Sequence, residues 1–276
     1  MLDKSEIAVF SEASPRVHRV GGDRPWIWLA GGWEDMLRAG RVSFAWAALF
    51  VAVGAALIGG AALLGIYEAI LPLAAGFPLL APILVIGLYE VSRRLEAGEK
   101  VDFKTPLLAL RRNAGQLGVM GFVLGFVFLA WMRIATLLFA WFFGARAFNA
   151  GEFASQIVLS GANALFLVIG SVIGALLALL VFAISAVSLP MLLDREKANA
   201  FIAIATSVAA VRANPRAMLL WAFLIVAFTG AGLLLGLVGL VLTLPLVAHA
   251  TWHAYRDLVA RDFAAADPAT PTSPGD

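Results

Sequence analysis

Apolar residues run along this chain in long blocks, and short polar, mostly basic stretches separate them. A helix needs roughly 20 predominantly apolar residues to cross a hydrocarbon core about 30 Å thick. The blocks predict transmembrane helices from about Ser43 to Ile66, Leu73 to Val91 and Leu117 to Leu138, with a fourth inside Ala164 to Leu193. The stretch from Ala217 to His253 is too long for one span and fits two, with a tight turn near Thr229, Gly230 and Gly232. The pattern therefore predicts an all-α polytopic bundle of about six spans.

The polar stretches between these blocks orient the bundle. Lys4, Arg16, Arg19, Arg24, Arg38 and Arg41 precede the first span. Arg93, Arg94, Lys100, Lys104, Arg111 and Arg112 follow the second, Arg195, Lys197, Arg212 and Arg216 follow the fourth, and Arg256 and Arg261 follow the sixth. Only Arg133 and Arg146 fall on the other side. Basic residues concentrate in cytoplasmic connections, so both termini are expected in the cytoplasm, and the asymmetry supports an even number of spans. Lys104 to Leu117, Ala198 to Met218 and Trp26 to Val42 keep helical character below transmembrane hydrophobicity and read as interfacial amphipathic helices. Trp26, Trp28 and Trp33 serve as anchors of the last.

A weak internal repeat links these elements. A shift of 101 residues superposes Arg94 on Arg195, Thr105 on Thr206, Ala109 on Ala210, Arg111 on Arg212, Asn113 on Asn214 and Phe122 on Phe223. Leu37 to Arg41 holds a similar place before the first span. The candidate unit is an interfacial helix followed by a transmembrane hairpin, present three times. The expected organisation is a polar cytoplasmic segment over residues 1–25, one membrane domain over 26–262 and a disordered tail over 263–276, rich in proline and small polar residues. Residues 1–24 have no apolar core of a signal peptide, so the first span acts as its own insertion signal.

Composition sharpens the class. The chain of 276 residues is 62% hydrophobic and 14% charged, with mean hydropathy +0.91, whereas soluble domains average about 25% charged residues. So few charges cannot cover a water-facing surface. A net charge of +2 and pI of about 9.2 reflect orientation signals rather than nucleic-acid binding. Zero cysteines exclude disulfides, thiolate metal sites and iron–sulfur clusters within the chain. Phosphate-loop, dinucleotide, nucleophile-elbow and HExxH motifs are missing.

The candidate chemistry is sparse. His249 and His253 are spaced i,i+4 and could bind a metal or haem, with Glu90, Asp194 or Asp257 as further ligands, since His18 lies far away in sequence. The favoured reading is an interfacial belt beside Trp252 and Tyr255. Glu68, Glu90, Glu152, Asp194 and Asp257 all fall near helix ends, which weighs against cation-coupled transport, where a charge is needed at depth. Arg133 is read as snorkelling to the outer headgroups, the alternatives being an anion site or a pair with Glu152. Ser160, Asn163, Ser171, Gly174, Ser185 and Ser188 form a weakly polar stripe on the fourth span, fit for close packing or for a pathway. Gly121/Gly125, Gly170/Gly174 and Gly232/Gly236 share the GxxxG spacing of packed helices. Pro190 and Pro245 are candidate kinks.

Three strings carry a resemblance: Ser188 to Arg195 (SLPMLLDR), Asn214 to Trp221 (NPRAMLLW) and Pro245 to Arg256 (PLVAHATWHAYR). They resemble the bacterial integral membrane family called domain of unknown function 2189, over about Arg16 to Leu258. Members are often labelled cytochrome c oxidase subunits, but the family has no established activity, so the resemblance implies no catalytic residues. A haem–copper centre needs several buried histidines, and three histidines with none at mid-membrane depth cannot build it. An accessory respiratory subunit needs none.

The function expected is thus a non-catalytic scaffold, assembly or accessory subunit of the inner membrane, binding no cofactor, with the lipid bilayer and other membrane proteins as partners and no nucleic acid. A small-molecule or ion transporter or channel is the alternative, with Asn163, Ser171, Ser185 and Arg133 as pathway candidates. A haem- or metal-binding respiratory component through His249 and His253 stands third.

Overall fold

The computed structural model describes residues 16–144, 163–235 and 238–260. Its helices are α1 (Arg24–Ala39), α2 (Arg41–Leu63), α3 (Ile70–Leu84), α4 (Ile86–Glu96), α5 (Thr105–Leu108), α6 (Ala114–Phe143), α7 (Ala164–Ser185), α8 (Ser188–Asp194), α9 (Ala200–Ala213), α10 (Pro215–Leu234) and α11 (Leu240–Leu258). The order shorter helix, long apolar helix, returning helix occurs three times: α1, α2 and α3–α4; α5, α6 and α7–α8; α9, α10 and α11. The one bridge among the described residues joins Val17 to Val259, flanked by bonds from His18 N–H to Leu258 O and from Ala260 N–H to Arg16 O. The described ends of the chain therefore lie side by side.

Lipid exposure explains the composition of the long helices. Along α6, Leu117, Met120, Leu124, Val127, Trp131 and Ala135 are buried at helical spacing. Phe122, Phe126, Leu129, Leu137 and Trp141 on its other faces are exposed. A helix apolar on every side belongs in a large core or a membrane. Five helical stretches are long and apolar enough to cross a bilayer: Arg41–Leu63, Pro72–Glu96, Ala114–Phe143, Ala164–Asp194 and Pro215–Leu234.

The expected sixth span is α11, which is not among those five because its second half carries His249, Thr251, His253, Arg256 and Asp257. It nevertheless returns along α10 and packs on α2, α4 and α1. The turn before it also differs from expectation. Helix α10 runs on through Gly230 and Gly232 to Leu234. Gly232 is a packing residue there, since a Cβ on it would lie 2.6 Å from Thr243 Oγ1 and 3.0 Å from Leu240 N.

Two spans are broken near the basic end. The second divides at Val85 into α3 and α4, where Trp46 Nε1 donates to Leu84 O at 3.3 Å. Pro78 and Pro82 inside α3 remove backbone donors just upstream. The fourth divides at Ala186 and Val187, and Val187 N–H is taken up by Ser207 Oγ of α9 at 3.2 Å. Pro190 therefore lies in the first turn of α8, where proline is tolerated, while Pro245 stays inside α11. The interfacial stretch expected from Lys104 to Leu117 is a short α5 with a 3-10 turn, ended by Asn113 at φ 45° before α6 begins. The Ala198–Met218 stretch divides likewise into α9 and the start of α10 at Pro215. Arg146, Glu152, Ser160, Gly236 and the tail expectation over 263–276 lie outside the described residues.

Candidate functional site

Polar chemistry concentrates at the basic end, where α4, α8 and α11 finish and α1, α5 and α9 lie across them. Helix α1 crosses α11 at Gly31 and Gly32. A Cβ on Gly32 would stand 2.5 Å from Ala250 N, and one on Gly31 2.9 Å from His253 Nδ1. This close crossing covers α11. Below it His253 Nε2 meets Asp35 at 2.9 Å, and Asp257 accepts from both Arg24 (2.7 Å) and Trp28 Nε1 (2.8 Å). Trp28 in turn packs edge-on against Trp221 of α10. The Asp257 hydrogen bond, aided by its charge, raises the Arg24 pKa above its ordinary value.

His249 is fully buried between two other helices. Ser43 Oγ of α2 lies 2.8 Å from its Nε2, and Ser92 Oγ of α4 lies 2.7 Å from its Nδ1. The headgroup-belt expectation fails here: His249, Trp252 and Tyr255 are all buried, because α1 and α4 cover this end of α11. The ligand expectation meets an obstacle too. Both nitrogens of His249 are engaged by serine hydroxyls, while His253 has Asp35 on one nitrogen and Gly31 against the other. These residues do not fit a haem iron. Among the described residues, no group of three or more His, Cys, Asp or Glu side chains could hold a metal ion.

Three further knots join the helix ends. Glu90, 1% exposed, receives both arms of Arg93 at 2.8 Å and Arg94 at 2.8 Å, with Arg112 at 3.9 Å. Asp194 accepts from Tyr255 Oη at 2.7 Å and pairs with Arg256 at 3.2 Å; Glu96 takes Trp252 Nε1 and Arg256. Asn113 donates to the carbonyls of Leu192 and Ala198, while Asn214 donates to His18 O and accepts from Val20 N–H. The two asparagines that the 101-residue shift superposes thus do the same work. Each stands just before a long apolar helix and clasps remote backbone. A small pocket of about 230 Å³ lies between Arg93, Glu96, Asp194, Trp252 and Arg256, whose charges already face one another.

On the membrane side of this network lies a chamber of about 990 Å³. Its floor is made where the two spans break, by Val85, Tyr89, Ser185 and Ala186, together with Thr251. No charged side chain lines it among the described residues.

The pathway candidates do not converge. Ser185 is buried at the chamber floor, whereas Ser171 is exposed on the outside of α7 and Asn163 stands half-buried ahead of that helix. Gly174 faces Trp131, and Ser188 bonds back to Ile184 O. Arg133 is exposed on α6, roughly 29 Å from its start at 1.5 Å per residue. That position suits a side chain reaching for the far headgroups.

Sequence reasoning missed Ser43, Ser92, Asp35 and the Gly31–Gly32 crossing, whose partners lie far along the chain. The paired asparagines were visible through the repeat.

Residues 70–194 match the family model described as predicted integral membrane protein, DUF2189. Of the three strings that carried the resemblance, Ser188–Arg195 falls within that match but for its last residue, and the other two lie beyond it. No curated protein and no solved structure matches the chain.

Proposed function

We propose that this polytopic membrane protein is a non-catalytic scaffold, assembly or accessory subunit of the inner membrane, with both termini in the cytoplasm and lipids and other membrane proteins as its partners. One observation carries this reading: the polar residues of the basic end are engaged in holding helices to one another. His249 is consumed by Ser43 and Ser92, Asp194 by Tyr255 and Arg256, and Asp257 by Arg24 and Trp28, in each case from another helix. A catalytic base or an ion-transport site needs a polar group free to meet its substrate. A rigid platform needs the reverse, satisfied polar groups and outward apolar faces. Trp26 and Trp33 on α1, Leu107 on α5 and Phe201 on α9 give the platform such faces at the interface.

A transporter is the second reading, favoured by the chamber alone. The apolar walls suit a lipophilic cargo rather than an ion, because a desolvated charge needs compensating groups.

Affinity purification of the full chain from native membranes in a mild detergent separates the two. The scaffold reading expects another integral membrane protein in fixed ratio to the chain. Recovery of the chain alone, with solute flux across vesicles containing it, would overturn that reading.

A further inference from the structure

The chamber suits an apolar occupant. An apolar cavity stays dry, and left empty its walls forfeit the dispersion contacts that filled interiors make. The chamber is bounded by α2, α3, α6, α7, α10 and α11. Helix α2 packs on α3 and α11, and α3 on α6 and α7, but α10 packs along α11 and not along α2 or α7. Val53, Leu57, Leu179, Val226 and Leu233, on α2, α7 and α10, line the chamber on the flanks of that gap and keep 40–67% of their surface accessible. The mouth therefore opens sideways beside α10, toward hydrocarbon.

We propose that this chamber takes the acyl chains of one bilayer phospholipid, inserted sideways past α10 with the headgroup left outside. Size supports the assignment. An apolar cavity of about 150 Å³ accepts one benzene ring, so at that packing about 990 Å³ holds on the order of forty carbon atoms, the pair of chains of one phospholipid. Chemistry supports it as well. The polar side chains on the walls are hydroxyls and indoles, such as Tyr89, Ser185, Thr229 and Thr251, with no charge to hold a phosphate or a fatty-acid carboxylate inside. The floor is shut by the interlocked basic end, so chains enter from the membrane and do not pass through. This inference is independent of which side the termini occupy and of any protein partner.

Native mass spectrometry of the full chain after exhaustive washing in mild detergent reads the occupant directly. The wild-type protein is expected to retain one phospholipid per chain. Filling the chamber with Ala178→Trp and Ala222→Trp, both on its wall, lowers occupancy at least about ten-fold. Leu176→Trp, on the exposed outer face of α7, leaves it unchanged. Should the double variant not fold, the delipidated wild-type protein decides. Its thermal midpoint rises on adding dioleoyl phosphatidylcholine but not dihexanoyl phosphatidylcholine, which has the same headgroup and short chains. Equal retention by a folded double variant, retention of a free fatty acid or isoprenoid instead, no retained lipid, or equal response to both phosphatidylcholines would each overturn the proposal.

Discussion

Glu90 faces Arg93, Arg94 and Arg112 while almost wholly out of solvent. Removing one partner from a buried ionic group strands the others, at a cost of about 3–5 kcal/mol. Glu90→Gln keeps the shape but takes from Arg93 its ion-pair partner, while Arg94 and Arg112 keep Glu99 and Glu196. It should lower the thermal midpoint of the detergent-solubilised protein markedly, whereas Glu34→Gln, which breaks an exposed pair with Arg38, should change stability by about 0.5 kcal/mol or less. Equal effects of the two would show that Glu90 is not the centre of a buried cluster. The placement of Glu90 near a helix end, and the i,i+3 and i,i+4 arginines after it, were legible in sequence. Its burial was not, because Arg112 and the covering helices come from elsewhere in the chain. The same holds for His249. Its i,i+4 relation to His253 drew attention to a ligand role, while the two serines that engage it stand in segments with no marking pattern.

At the scale of elements, apolar block length and basic flanks located the spans, since those signals are local. The breaks at Val85 and at Ala186–Val187, and the tilt of α1 onto α11, depend on tertiary contacts. A Gly-Gly pair inside an amphipathic helix reads locally as a weakness; here it admits the α11 backbone. Gly32→Ala would put a Cβ 2.5 Å from Ala250 N, a backbone atom that cannot rotate away. Gly31→Ala meets only the His253 ring, which can turn. Thermal unfolding should therefore rank Gly32→Ala as the more damaging, by about 1–3 kcal/mol of overpacking, with Gly31→Ala milder. Gly59→Ala on α2, with nothing within 4 Å, should be neutral or stabilising by up to about 1 kcal/mol through helix propensity. If Gly32→Ala proved as silent as Gly59→Ala, α1 would not lie on α11 in this way, and the closure of the basic end would fail with it.

For the whole molecule, the two ends of the described chain constrain the number of crossings more firmly than hydropathy does. Arg16 O accepts from Ala260 N–H, and Val17 bridges Val259, so the chain leaves and returns on one side. Five crossings cannot do this; five apolar spans and α11 as a sixth can, even though the polar end of α11 lowers its hydropathy. The basic residues of α4, α8, α9 and α11 then share the side of the described ends, which the proposed topology places in the cytoplasm under the positive-inside rule. Reporter fusions after Lys100 and after Trp141 test number and direction together. A fusion after Lys100, between the second and third spans, should be active as a cytoplasmic reporter and inactive as a periplasmic one. A fusion after Trp141, near the end of α6, should behave in the opposite way. The same signal at both sites would mean that α6 does not cross. Exchanged signals would mean that Arg93, Arg94, Lys100 and Lys104 are translocated, against about 1 kcal/mol of attraction per basic residue to the anionic cytoplasmic leaflet. In that case the network at the basic end would stand outside the cell, out of reach of any cytoplasmic partner.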